Sequence, residues 1–274
     1  MKKRPSSSRF PRDIALSAAP LVEAWLEIQW KLEPVEPPQF MKDPGFLFAL
    51  GPFYESIKEE YPIREELPAA NMPENALPHI VRYRFFNEDR SALMQIGPGV
   101  ASINVLRQYT RQSFFDKALV LRKRLLDAYQ GSNLETQAII LRYRNVEPVD
   151  YYSTNVLDFM RDYLNTSITI PPNIPGRISK GIPSSSDLNL SFPLDAPKGT
   201  GNLRMVTGER KTQHTDDNAD GRVLIWELSV ASRDENVPPL EAEERFQSWL
   251  HDAHDIIHEW FFALIEGKLF DKYR

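Results

Sequence analysis

Between Val22 and Leu32 apolar and polar residues alternate. Ala24, Leu26, Ile28, Trp30 and Leu32 share one side, and Glu23, Glu27, Gln29 and Lys31 the other, the two-residue period of a strand with one buried face. Trp25 is the one residue out of phase. A proline-rich connection, Pro34 to Pro38, leads to Asp43-Pro44, a cap followed by proline at the first helical position, which predicts a helix to about Glu60. Beyond a proline-rich loop, Ile80 to Phe86 and Ala92 to Ile96 read as strands joined by the turn Asn87 to Arg90, and Gly97-Pro98-Gly99 turns the chain into a third strand, Val100 to Leu106. From Ser113 to Tyr129 the period lengthens: Phe114, Ala118, Leu121, Leu125 and Ala128 mark a helix, with Gly131 as its stop.

The second half reads in the same order. A strand over Ala138 to Val146 precedes a helix over Val156 to Leu164, strands near Leu188 to Leu194, Leu203 to Lys211 and Val223 to Ala231, and a helix from Glu241 to about Ile265. The fold class expected is α+β, two pseudo-repeated β-α-β-β-β-α halves whose strands join in one curved antiparallel sheet with helices packed on one face. By element order this resembles the TATA-box-binding-protein and helix-grip folds, a likeness that carries no function. Residues 1–20 read as a flexible basic tail, 21–134 as the first half and 135–274 as the second, in one compact unit.

Composition narrows the chemistry. The 274 residues carry a net charge of −5, which speaks against duplex nucleic acid as a partner. Lys2, Lys3, Arg4, Arg9 and Arg12 cluster at the start, but no apolar run follows to make a signal peptide. The expected setting is cytoplasmic, without membrane spans. With no cysteine there is no disulfide, no thiolate nucleophile and no cysteine-held zinc.

Three segments carry a resemblance. Ala19-Pro20-Leu21-Val22-Glu23-Ala24-Trp25-Leu26-Glu27-Ile28-Gln29-Trp30 is the first, and Gln95-Ile96-Gly97-Pro98-Gly99 with Ser102-Ile103-Asn104 and Tyr109 the second. With Leu141-Arg142-Tyr143-Arg144-Asn145, they resemble the motifs of a sporadically distributed bacterial protein family without assigned function. Arg144 departs from that pattern, which has an apolar residue there. The resemblance covers most of Leu21 to Leu264 and implies a whole-chain family fold in an intracellular bacterial setting, with no catalytic residues to carry over.

Two patterns suggest metal. Asp216, Asn218, Asp220, Gly221 and Glu227 match the calcium-loop formula, with Val223 at its apolar position. That loop needs flanking helices, whereas the neighbours alternate as strands, so a hairpin turn explains the cluster and leaves Glu227 facing solvent. His254-Asp255-Ile256-Ile257-His258 copies the i, i+4 spacing of zinc helices, with His251 nearby and His79, His214 or a carboxylate from elsewhere as a distant third ligand. Against this, the helix carries an apolar stripe of Phe246, Leu250, Ala253, Ile257, Phe261 and Leu264, and the histidines fall on its border. No G-x-S-x-G elbow and no phosphate-cradling glycine loop occur, and Ser184 to Ser186 sit in a Pro- and Gly-flanked loop.

Arg122, Lys123 and Arg124, with Arg107 and Arg111, offer a basic patch for RNA or an acidic protein surface, though the plainer reading is a solvated helix face. Trp249, Trp260, Phe270 and Tyr273 give the C-terminal region more apolar surface than one packing face needs, which suggests an interface with another protein or with a second copy. The functional expectation is a binding protein without catalysis or cofactor, acting on a macromolecule as an accessory or neutralising component of a bacterial defence or toxin system. The alternatives are a metal-dependent hydrolase using His254 and His258, and a small-ligand sensor with a cavity between sheet and helices.

Overall fold

The computed structural model describes residues 16–35, 40–73, 78–130, 134–171, 174, 183, 185–209 and 221–274. The strands are β1 (Leu21–Trp30), β2 (Glu33–Val35), β3 (Phe40–Lys42), β4 (Ile63–Glu66), β5 (Tyr83–Phe86), β6 (Ala92–Gly97), β7 (Val100–Val105), β8 (Thr136–Pro148), β9 (Asp187–Asp195), β10 (Lys198–Glu209) and β11 (Arg222–Arg233). The helices are α1 (Phe46–Ile57), α2 (Arg111–Ala128), α3 (Val156–Tyr163), α4 (Glu243–Ile265) and α5 (Lys268–Tyr273). The fold is α+β: nine strands form one antiparallel sheet in the order β4-β5-β6-β7-β1-β8-β11-β10-β9, and β2 and β3 pair separately.

The alternation read in β1 sets the sheet's two faces. Ala24, Leu26 and Ile28 lie opposite Val105, Ile103 and Ala101 on β7 and opposite Tyr143, Leu141 and Ile139 on β8, so one face is apolar over its centre. There α2 and α4 pack, and Phe114, Leu121, Phe246, Leu250 and Trp226 are fully buried in one continuous core. α2 begins where Thr110 accepts a hydrogen bond from the Ser113 amide at 3.2 Å through its hydroxyl oxygen, satisfying a donor that the helix leaves free.

Three expectations at the first helix need correction. Asp43-Pro44 does not start α1: Gly45 is its N-cap, and the helix stops at Ile57 rather than Glu60. Asp43 is instead a buried carboxylate that accepts from Trp30 Nε1 (2.9 Å), the Tyr129 hydroxyl (2.9 Å), the Gly99 amide (3.0 Å) and the Gly45 amide (3.0 Å). Four donors satisfy carboxyl oxygens that the fold has taken out of water. The Gly97-Pro98-Gly99 turn is thereby tied to the core. Gly99 sits at φ +74°, and a Cβ on Gly97 would lie 2.0 Å from the Ile80 carbonyl oxygen, so neither accepts a side chain. The strand β4 and the short α5 were not foreseen: β4 lay inside what read as a proline-rich loop, and α5 lies past Gly267 at φ +100°.

Candidate functional site

Between the apolar face and the two long helices lies a cavity of about 490 Å³. Five stretches far apart in sequence build it. Thr110, Arg111 and Gln112 come from the first turn of α2 with Tyr109 just before it, Tyr143, Asn145 and Leu228 from β8 and β11, and His254, His258, Phe261 and Phe262 from α4; Leu16, Ala19 and Leu21 complete the wall. None of these residues carries a carboxylate.

Its innermost polar groups are two phenols and an imidazole, all largely out of water. The hydroxyls of Tyr109 and Tyr143 lie 2.8 Å apart; whichever one donates, the other keeps a proton with no acceptor among the described residues. Burial raises both phenols, Tyr143 well above its ordinary value and Tyr109 to about 12 despite the lowering effect of the Tyr143 contact, so both stay neutral at physiological pH. His254 is 5% exposed and packs edge-on against Phe115 and Tyr143. Its Nδ1 is closed to solvent without a hydrogen-bond partner and stands 3.6 Å from Asp255, an ion-pair distance too long for a hydrogen bond. Nε2 is the ring nitrogen left to the cavity. Burial holds the imidazole below its ordinary pKa, with Asp255 working in the opposite direction. Arg111 is engaged at the rim, with Nη2 2.9 Å from His251 Nδ1 and 3.4 Å from Asp255.

The opposite face of the sheet is polar and built differently. Arg84 donates to Gln95 (2.9 Å), Gln95 to Ser102 (3.0 Å) and Asn104 (2.9 Å), and Asn104 to Glu23 (2.7 Å). Arg144 then reaches Glu23 (3.0 Å) and Glu227 (3.0 Å), while Glu227 also faces Arg142 at 3.4 Å. Trp25, out of phase in the sequence, is buried here with the guanidinium groups of Arg142 and Arg144 at 4.7 and 4.9 Å from its ring centre. That arrangement favours cation and indole alike. Glu227 is thus not a solvent-facing residue but the bridge between two arginines, and Arg144, the departure from the resembled motif, is their link to Glu23.

The remaining sites resolve residue by residue. Trp249 and Tyr273 are interior: Trp249 donates to Ser232 Oγ at 2.8 Å and Tyr273 to Glu147 at 2.6 Å, which corrects their expected place on an interface. Phe270 is half-buried, and so is Trp260, which stands edge-on to Phe192 at 5.4 Å. Arg122 is also interior, donating to the carbonyls of Leu240 and Glu241 and to Glu243, so it ties α2 to the chain before α4 rather than joining Lys123 and Arg124 in a surface patch. The border placement of the histidines fails for His254, which is core. His251 points to Arg111, and His254 and His258 stack at 5.9 Å. Among the described residues no three His, Cys, Asp or Glu side chains converge as a metal site. Asp216, Asn218, Asp220 and His214 lie outside the described residues. His79 bonds the Trp30 carbonyl at 3.0 Å, far from α4 in sequence and role.

The cavity residues that sequence reading did not single out are Leu16, Thr110, Gln112 and Leu228. One signal was present: Tyr143 and Asn145 share the parity of Ile139 and Leu141, so a phenol and an amide occupy apolar-face positions of β8. Family models give no match to this chain, and neither do curated proteins. Among the described residues no helix is long and apolar enough to cross a membrane.

Proposed function

We propose that this chain is a binding protein whose ligand is a small, largely apolar molecule held between sheet and helices. The observation that carries the reading is the cavity of about 490 Å³, walled by Leu16, Leu21, Leu228, Phe261 and Phe262 and carrying a few convergent polar groups. Pockets of about 300–1,000 Å³ with that mixture are where proteins enclose small ligands. Its test is native mass spectrometry of the protein purified gently from its own cells. A small-molecule adduct lost on denaturation, and absent from Ala19→Trp, supports the reading; a bare chain in both sinks it.

A second reading keeps a macromolecular partner. On the apolar side of β9, the end strand of the sheet, Leu190 and Phe192 are 39% and 42% exposed, and Trp260 flanks Phe192. An extended segment of another protein, added to the β9 edge, would cover these side chains. A stoichiometric heteromeric mass in the same spectrum, lost in Trp260→Ala, supports it. The two halves are also read as a pseudo-repeat about the central β1–β8 pair. Strands run outward as β7-β6-β5 on one side and β11-β10-β9 on the other, with β4 as an extra edge.

A further inference from the structure

The cavity's polar chemistry is one-sided, and we infer that its ligand is a carboxylate with an apolar body. This rests on the small-ligand reading above and names the class of molecule. Four observations lead there. No lining side chain is acidic, so nothing in the wall repels an anion or supplies a partner for a cationic ligand. The Tyr109–Tyr143 pair holds one hydroxyl proton without an acceptor among the described residues, and a phenol in an apolar wall gains from an acceptor placed beside it. His254, 5% exposed and with no partner at Nδ1 among the described residues, lines the same space and offers it a donor in its Nε2–H tautomer. Finally, α2, 18 residues long, begins at the cavity: Thr110, Arg111 and Gln112 line it, and the first amides of a helix have no acceptor within it.

Taken singly, a helix start is only a weak attraction for an anion. Here a buried phenol and a buried imidazole share the cavity with it, and charge-assisted hydrogen bonds are the strong kind. Asn145 and the leucine and phenylalanine side chains leave the rest of the volume to an uncharged body. The carboxylate is placed at the Tyr109, Tyr143 and His254 end, and the body runs along Leu228, Phe261 and Phe262. A straight acyl chain and an aryl-alkyl body share this head group, and the probes below separate them.

Calorimetric titration of the wild-type chain with decanoate, 4-phenylbutyrate, decan-1-ol and decyltrimethylammonium is the test. At least one acid is expected to bind about 10-fold or more tighter than the alcohol, as a charge-assisted bond allows, with the ammonium ion giving no heat. Decanoate above 4-phenylbutyrate identifies an acyl chain, and the reverse order an aryl body. Tyr109→Phe, which removes one hydroxyl and leaves the ring, is expected to weaken the acid about 10-fold while moving the alcohol by less than about 2-fold. Decan-1-ol binding as tightly as the acids overturns the carboxylate assignment and leaves the small-ligand reading standing. An adduct in the native spectrum that is not an acid does the same, whereas a chain that binds none of the probes and carries no adduct overturns both.

Discussion

The two faces of the sheet use their polar side chains in opposite ways. On the open face the run from Arg84 through Gln95, Ser102, Asn104, Glu23, Arg144 and Glu227 to Arg142 matches donors with acceptors across six adjacent strands, β5 to β11, with Arg142 Nε as the exception. On the helix face, the cavity gathers a phenol proton and a buried imidazole without a hydrogen-bond partner among the described residues, beside a helix start whose first amides have no acceptor within the helix. A saturated network fixes strand register and gains nothing from a ligand. A buried phenol proton and a buried imidazole nitrogen left unmatched are costly until something completes them. Polarity alone therefore does not mark a site; the balance of donors and acceptors does.

That contrast can be broken, starting with the variant that costs most stability. Glu227→Ala removes the acceptor shared by Arg142 and Arg144 and leaves two half-buried cations over Trp25. A stability loss of about 2–3 kcal/mol in urea unfolding is expected, below the range for fully buried pairs because both arginines are partly solvated. Ligand affinity should stay unchanged, and a parallel loss of binding would mean that the two faces are coupled.

The next effect is a pH dependence. His254 titrates in the folded chain below its ordinary value of 6.5, because burial disfavours the cation. It is faced by Asp255 and His251, with His258 one turn on, all on α4, by Arg111 from α2 and by Tyr143 from β8. Between its folded value and 6.5 the unfolded chain binds more protons, so stability rises with pH through that window and levels off above it. The difference between wild type and His254→Gln in unfolding free energy against pH isolates this slope; a difference curve flat from pH 5 to 7 would place the imidazole in water.

Smaller still is Tyr109→Phe, with a stability change of less than about 1 kcal/mol, since the hydroxyl it removes bonds only Tyr143 among the described residues. Least costly is Ala19→Trp at the exposed edge of the cavity, expected within about 0.5 kcal/mol of wild type, yet abolishing ligand binding. Thermal unfolding with and without decanoate checks both: Ala19→Trp should unfold at the same temperature either way.

Much of this architecture was legible because period carries face. The alternation of β1 and the spacing of Phe114, Ala118, Leu121 and Leu125 placed the apolar face and α2 to within two or three residues. What failed were contacts at long sequence separation. Trp25 looked like an error of phase because the arginines that cover it lie on β8, 117 and 119 residues later. Asp43 read as a cap because Tyr129 and Gly99 cannot be seen beside it in the chain. Trp249 and Tyr273 looked like surplus surface until Ser232 and Glu147 supplied their partners. The cavity was invisible for the same reason, being assembled from a helix start, two strands and a C-terminal helix.

The most direct test follows the backbone amide and indole N–H resonances of the intact chain as decanoate is added. The account predicts that the largest shifts fall on Arg111, Gln112 and His254, with the Trp25 indole N–H unmoved. Shifts centred on Trp25, Arg142 and Arg144, with the α2 start unmoved, would put the binding site on the saturated face and contradict it.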